Sequence, residues 1–223
     1  MQALIDTFFN VQIIGQIVPL LLRGLGMTAL LCAVVIPVGF VGGTLVAVLS
    51  TVPSRLLRAL LVIYVDVFRA FPPLVLLIFI YFGLPFLGID LPAIVAVTIA
   101  FLLNTSSYYG EIVRAGIESI GRGQREAARS TGLTATQTMV YVILPQAVRT
   151  VVPDLIGNTL EVVKLTSIAS VVALPELLYA ARSAQALTYN PSPIVAAAAL
   201  YLVLLWPFVR LLSRFEHRML AVA

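Results

Sequence analysis

Read along its length, the chain alternates long apolar runs with short polar joints. Five runs approach the roughly 20 apolar residues that a membrane-crossing helix needs: Leu25–Leu49, Leu56–Phe82, Leu91–Gly116, Val151–Leu174 and Ile194–Leu212. An earlier run, Met1–Leu22, is interrupted by Asp6, Asn10, Gln12 and Gln16, with no Lys or Arg before Arg23. That pattern predicts a helix lying at the membrane surface rather than a signal peptide. The second run has a further constraint. As one helix from Arg55 to Pro85 it would be roughly 45 Å long, more than a hydrocarbon core accommodates. Pro72 and Pro73 also remove two backbone donors and push Phe71 out of helical geometry. A break is therefore expected near Ala70–Pro73, at membrane depth. Irregular backbone is tolerated there only against protein or a water-filled cavity. The whole pattern predicts an all-α integral membrane protein, with residues 1–223 forming a single transmembrane domain of about five spans.

Composition narrows the classes further. The chain is 61% hydrophobic and 11% charged, with a mean hydropathy of +1.06, against roughly a quarter charged in soluble domains. The net charge of +4 is no nucleic-acid signal, because the arginines sit at the ends of apolar runs. A single Cys, Cys32, and a single His, His217, exclude an internal disulfide framework and a Cys- or His-cluster metal site. The arginines set the orientation. With five spans, Arg55, Arg58, Arg122, Arg125, Arg129, Arg149, Arg210, Arg214 and Arg218 fall on one side. The other side holds Arg23, Arg182, Asp90 and Glu176. The N-terminus is thus expected outside, with the C-terminus cytoplasmic.

Ionisable groups inside a membrane are costly and mark paths or sites. Asp66 and Arg69 are three residues apart on the second span, just before the expected break. They read either as a structural pair or as part of a substrate path. On the fourth span, Asp154, Asn158, Glu161 and Lys164 fall within roughly 120° of helical arc, and Thr166 and Ser167 continue the polar stretch. Glu161 and Lys164 have the spacing of a local ion pair. The alternative is a cavity wall for a zwitterionic ligand such as an amino acid, which requires fixed charges of both signs. Asp66, Arg69, Glu161 and Lys164 supply them, and Asn104, with Thr105 and Ser106, adds polar groups on the third span. Glu111 and Arg114 read as a structural pair.

One joint is long and polar: Gly121–Pro145. Gln124–Thr131 is a good helix former, and Gly132 suits the left-handed position past a helix end. Thr134 lies three residues before Gln137, the spacing of a capping box, which starts a second helix expected to stop at Pro145. Two short helices meeting at Gly132–Thr134 suit insertion into a groove of another protein.

Within this joint, Glu126-Ala127-Ala128, Gly132 and Ile143-Leu144-Pro145 resemble the "EAA" signature of ABC importer permeases. The segments Phe68–Pro72, Glu111–Ile117, Gly123–Gln124, Pro145–Arg149, Asn158, Lys164–Ile168 and Pro175–Leu177 resemble the polar amino-acid permease family. The likeness covers roughly residues 20–215. It implies a type I importer fold in the bacterial inner membrane, with residues 121–145 forming a cytoplasmic coupling loop. In that loop Glu126, Ala127, Ala128, Gly132 and Leu133 would engage a separate ATPase. It further implies two ATPase copies that carry ATP and Mg, a second permease subunit (a copy or a homologue) and an extracytoplasmic substrate-binding protein. The substrate would be an amino acid or a derivative. The chain has no phosphate-binding loop of its own, since Lys164 follows Val163 and no Gly-rich turn. No cofactor and no catalytic residue are expected in it. A rival reading is a secondary transporter driven by an ion gradient, with the intramembrane charges as ion ligands. A membrane enzyme is disfavoured by the lack of a nucleophile–base pair.

Overall fold

The computed structural model describes residues 6–220, and the backbone alone at Phe208 and at 211–220. Residues 1–5 of the expected surface helix, and the side chains of Arg214, His217 and Arg218, lie outside the described residues.

All regular elements among the described residues are helical. In chain order they are α1 (Val11–Leu49), α2 (Arg55–Ala70), α3 (Pro73–Ile78), α4 (Ala93–Ser119), α5 (Arg122–Ser130), α6 (Ala135–Gln137), α7 (Leu144–Thr150), α8 (Val152–Leu165), α9 (Leu177–Thr188) and α10 (Ser192–Leu220). A π turn, Phe79–Gly83, and a 3-10 turn, Leu84–Leu87, extend α3. A 3-10 segment, Thr166–Val172, extends α8. Among the described residues three helices are long and apolar enough to cross a membrane: the one ending at Leu49, α4, and Val152–Val172. The broken pair Arg55–Ala70 and Pro73–Leu87 makes a fourth, and Ser192–Pro207 is a shorter apolar helix.

Two expectations need adjusting. Residues 11–22 and the first span are not separate elements, because α1 is unbroken over 39 residues, roughly 58 Å. Its first third is held by packing: Ile17 and Leu21 are buried against Leu177, Ala180, Ala181, Ala184 and Ala197. The helix of the polar joint also does not stop at Pro145. It passes through a π turn, Thr138–Ile143, and continues as α7 with Pro145 in its first turn. There Leu144 donates to the Met139 carbonyl five residues back. Such a widened turn accommodates a ring that would otherwise press on the carbonyl four residues back.

The chain divides into two compact units, each drawn from several stretches of sequence. The first comprises residues 1–34, 73–101 and 160–223. At its centre the α9 start is tied to α1 and α10. Glu176, with no exposed surface, accepts from Leu178 N at 2.8 Å and Tyr179 N at 2.7 Å and so caps α9. Tyr201 Oη of α10 donates to Glu176 Oε2 at 3.1 Å, and Leu177 N donates to Thr28 Oγ1 of α1 at 3.2 Å. Burial raises the Glu176 carboxyl above the ordinary carboxylate range; the two backbone donors and Tyr201 only moderate this.

The second unit comprises residues 35–72 and 102–159. Here α1 crosses α4 backbone to backbone. A Cβ on Gly43 would lie 2.6 Å from Gly110 N and 2.7 Å from Ser106 O. Any side chain at 43 would force the helices apart, and small residues at such crossings are how membrane helices come close. Ala47, Val113, Ile117, Ile143 and Ala147 complete the core.

Candidate functional site

The expected break is present. α2 ends at Ala70, Phe71 takes an extended conformation (φ −78°, ψ 125°), and α3 starts at Pro73. In a continuous helix the carbonyls of Phe68 and Arg69 would accept from residues 72 and 73. Both are prolines, so both carbonyls lose their helical donor. α4 supplies replacements. Asn104 Nδ2 donates to Phe68 O at 3.1 Å, and Tyr108 Oη donates to Arg69 O at 3.4 Å, a long bond. Asn104 and Tyr108 are four residues apart, on one face of α4. Asn104 is buried, and its amide is engaged by backbone rather than open to a path. Tyr108 went unremarked in the sequence because its partner is a carbonyl orphaned by a distant proline.

Asp66 and Arg69 do not pair. Arg69 turns to α4, where Nη1 lies 3.7 Å from Glu111 Oε1, and its guanidinium lies over the Tyr108 ring at 5.4 Å. Arg114 holds Glu111 with two bonds, at 2.9 and 2.6 Å, and Glu118 with a third at 2.6 Å. The expected Glu111–Arg114 pair is therefore real and sits in a chain Arg69–Glu111–Arg114–Glu118. Among the described residues Asp66 has no ion-pair partner. It lines a cavity of about 200 Å³ together with Glu111, Arg114 and Ser50.

In the first unit, Lys164 Nζ donates to Glu161 Oε1, so the i, i+3 pair forms. Both side chains are exposed all the same, at 68% for Glu161 and 52% for Lys164. Ser167 Oγ donates to Lys164 O at 2.8 Å. Thr166 is fully buried and donates to Val163 O at 2.7 Å. Of the four polar residues grouped here from the sequence, Glu161 and Lys164 present free surface, whereas Thr166 belongs to the interior.

The polar joint forms the expected elbow. α5 ends at Ser130, and Gly132 is left-handed at φ +90°. Thr134 N donates to Gln137 Oε1 at 2.8 Å and Gln137 N to Thr134 Oγ1 at 3.2 Å, closing the capping box. Arg129 Nη1 donates to Leu133 O at 2.9 Å and fastens the turn to the end of α5. Glu126 and Ala127 are exposed, Ala128 is buried and Leu133 is half-buried. The two alanines therefore differ in role: Ala128 packs inward and Ala127 lies on the exposed surface.

The sequence profile described as "binding-protein-dependent transport system inner membrane component" matches residues 36–221. The chain is 36% identical to the "Probable glutamine ABC transporter permease protein GlnM" of Bacillus subtilis over 94% of its length and 98% of the relative's. It is 32% identical to the "Arginine transport system permease protein ArtQ" of the same organism, over 84% and 86%. A crystal structure of an amino acid ABC transporter with histidines superposes with a TM-score of 0.81 at 37% identity, covering 90% of this chain and 94% of that one. A chain of the inward-facing MetNI methionine ABC transporter has a TM-score of 0.77 at 22% identity, a likeness of fold.

Proposed function

The chain belongs to the family of binding-protein-dependent transport system inner membrane components, and on that premise we propose that it is the permease subunit of an ATP-driven importer for an amino acid or a close derivative. It is a multi-pass transport subunit, and the family works with a substrate-binding protein. The relatives named for glutamine and arginine transport support this substrate class.

The observation that carries the reading is the exposed Glu161–Lys164 pair. It sits on Val152–Val172, a segment long enough to span a membrane. Hydrocarbon does not accept an exposed ion pair, so this face must look onto a water-filled path or a partner chain. A zwitterion entering there meets a carboxylate for its ammonium and an ammonium for its carboxylate. The second unit holds candidates of its own: Asp66 on its cavity of about 200 Å³ and Arg69 beside Glu111. Two permease chains, this one with a copy or a homologue, enclose the route. Two ATPase subunits hold ATP and Mg. Glu126, Ala127, Gly132 and Leu133 present the elbow to them on the cytoplasmic side, with the C-terminus on that side and the N-terminus outside. ATP binding draws the elbows together and tips the helices toward an outward-open state.

The test is reconstitution with the cognate ATPase and binding protein, followed by uptake of labelled amino acids. Glu161→Gln and Lys164→Gln should each cut uptake at least about tenfold, the loss of one charge-assisted contact, with assembly intact. Unchanged uptake in both variants would place the path elsewhere.

A further inference from the structure

A second cavity of the second unit, about 380 Å³, is lined by Ser50, Thr51, Arg58, Val62, Arg114, Ile117, Glu118 and Arg125. Three arginines line it, one each from α2, α4 and α5. Arg114 is committed to Glu111 and Glu118, and the Glu118 carboxylate on the wall is spoken for by the same contact. Arg58 and Arg125 have no ion-pair partner among the described residues; Arg125 donates only to the Ile117 carbonyl, at 3.2 Å. The hydroxyls of Ser50 and Thr51 donate to Ala47 O and Val48 O, at 2.7 Å each, so their protons are already committed and the two arginines are left as the donors for an anion. The cavity thus carries two uncompensated positive charges, with apolar walls at Val62 and Ile117.

We propose that this cavity binds the headgroup of an anionic phospholipid. Membrane orientation requires arginines at this end of the chain but does not require them to line one cavity. An anionic phosphodiester matches two free guanidiniums. The volume suits a headgroup. The helix that carries Arg58 also exposes Leu56, Leu60 and Ile63, at 72%, 56% and 58%, a strip one turn apart that suits hydrocarbon. Arg58 lies between Leu56 and Leu60 in the first turn, and its long side chain reaches headgroup level from the edge of that strip. Basic pockets between membrane helices are recognised in this way by anionic lipid. Because Arg125 lies on α5, next to Glu126, a seated headgroup steadies the coupling elbow from the membrane side.

The experiment is native mass spectrometry of the complete transporter, exchanged into mixed micelles with phosphatidylglycerol or with phosphatidylcholine of the same acyl chains. The readout needs no transport, so it stands apart from the reading of the substrate path. Wild type should retain phosphatidylglycerol in preference to phosphatidylcholine. Retention should fall roughly fivefold for Arg58→Gln or Arg125→Gln and about 25-fold for the pair. The charge-keeping pair Arg58→Lys with Arg125→Lys should recover most of it, which separates charge from folding. Arg23→Gln, in the first unit, should change nothing. Millimolar inorganic phosphate should leave retention unaltered; displacement by phosphate would identify a free-anion site instead and overturn the lipid assignment. Equal retention of the two lipids, or a paired Gln variant that keeps its phosphatidylglycerol but sheds the ATPase subunit, would overturn it as well.

Discussion

At the scale of single residues, two side chains bear the clearest local consequences. Glu176 is buried with three donors around it and its carboxyl is raised. A group whose folded value lies above its unfolded value favours the folded state fully below the unfolded value. It loses that contribution as pH rises through the folded one. The melting temperature of the purified protein in detergent should therefore fall as pH climbs above the ordinary carboxylate range. Glu176→Gln, which does not ionise, should flatten that part of the curve; an unaltered slope would refute the account. Gly132 is constrained by torsion alone, because a Cβ there would meet nothing within 4 Å while φ is +90°. Gly132→Ala should cost about 1 kcal/mol and lower coupled uptake. Gly132→Asn, which tolerates the left-handed region, should lose less in the same assay.

At the scale of elements, the break between α2 and α3 and its bonds from α4 form one device. The prolines that end α2 also orphan two carbonyls, and Asn104 and Tyr108 take them up. Asn104→Ala should cost about 1–3 kcal/mol, the price of a buried unmatched carbonyl. Pro72→Ala returns the N–H that Phe68 O lacks, so Asn104→Ala should cost less in that background. Chemical unfolding of the four proteins should give a coupling energy above about 0.5 kcal/mol; strict additivity would mean that Asn104 acts otherwise. The break itself was legible from Pro72–Pro73 and the excess length of the run. Its mending was not, because Asn104 is 36 residues from the carbonyl it serves. Of the two readings open for Asp66 and Arg69, the local pair is the one that does not form. Helical spacing ranks Asp66 as a neighbour, but tertiary packing brings Glu111 of α4 to 3.7 Å.

At the scale of the whole molecule, the chain is a membrane transport component, and the proposed function makes its activity that of an assembly driven by ATP. With ATP held constant in reconstituted vesicles, dissipating the proton and sodium gradients should leave uptake unchanged. Removing ATP should abolish it, and a collapse with the gradient would favour ion coupling. The helical membrane class and the polar elbow were set by the sequence alone. The site of the break, the left-handed Gly132 and the capping box were set in the same way. All depend on hydropathy, proline chemistry or contacts within four residues, which the local order of residues dictates. Tertiary structure decided the rest: one α1 where two helices were expected, a helix continued through Pro145, Ala128 turned inward, and Thr166 and Asn104 given to the interior. It also decided which arginines remain unpaired. Each of these turns on which helix packs against which, and on donors and carboxylates brought from tens of residues away. Hydropathy reports how much of a helix must avoid water, but not what it touches instead.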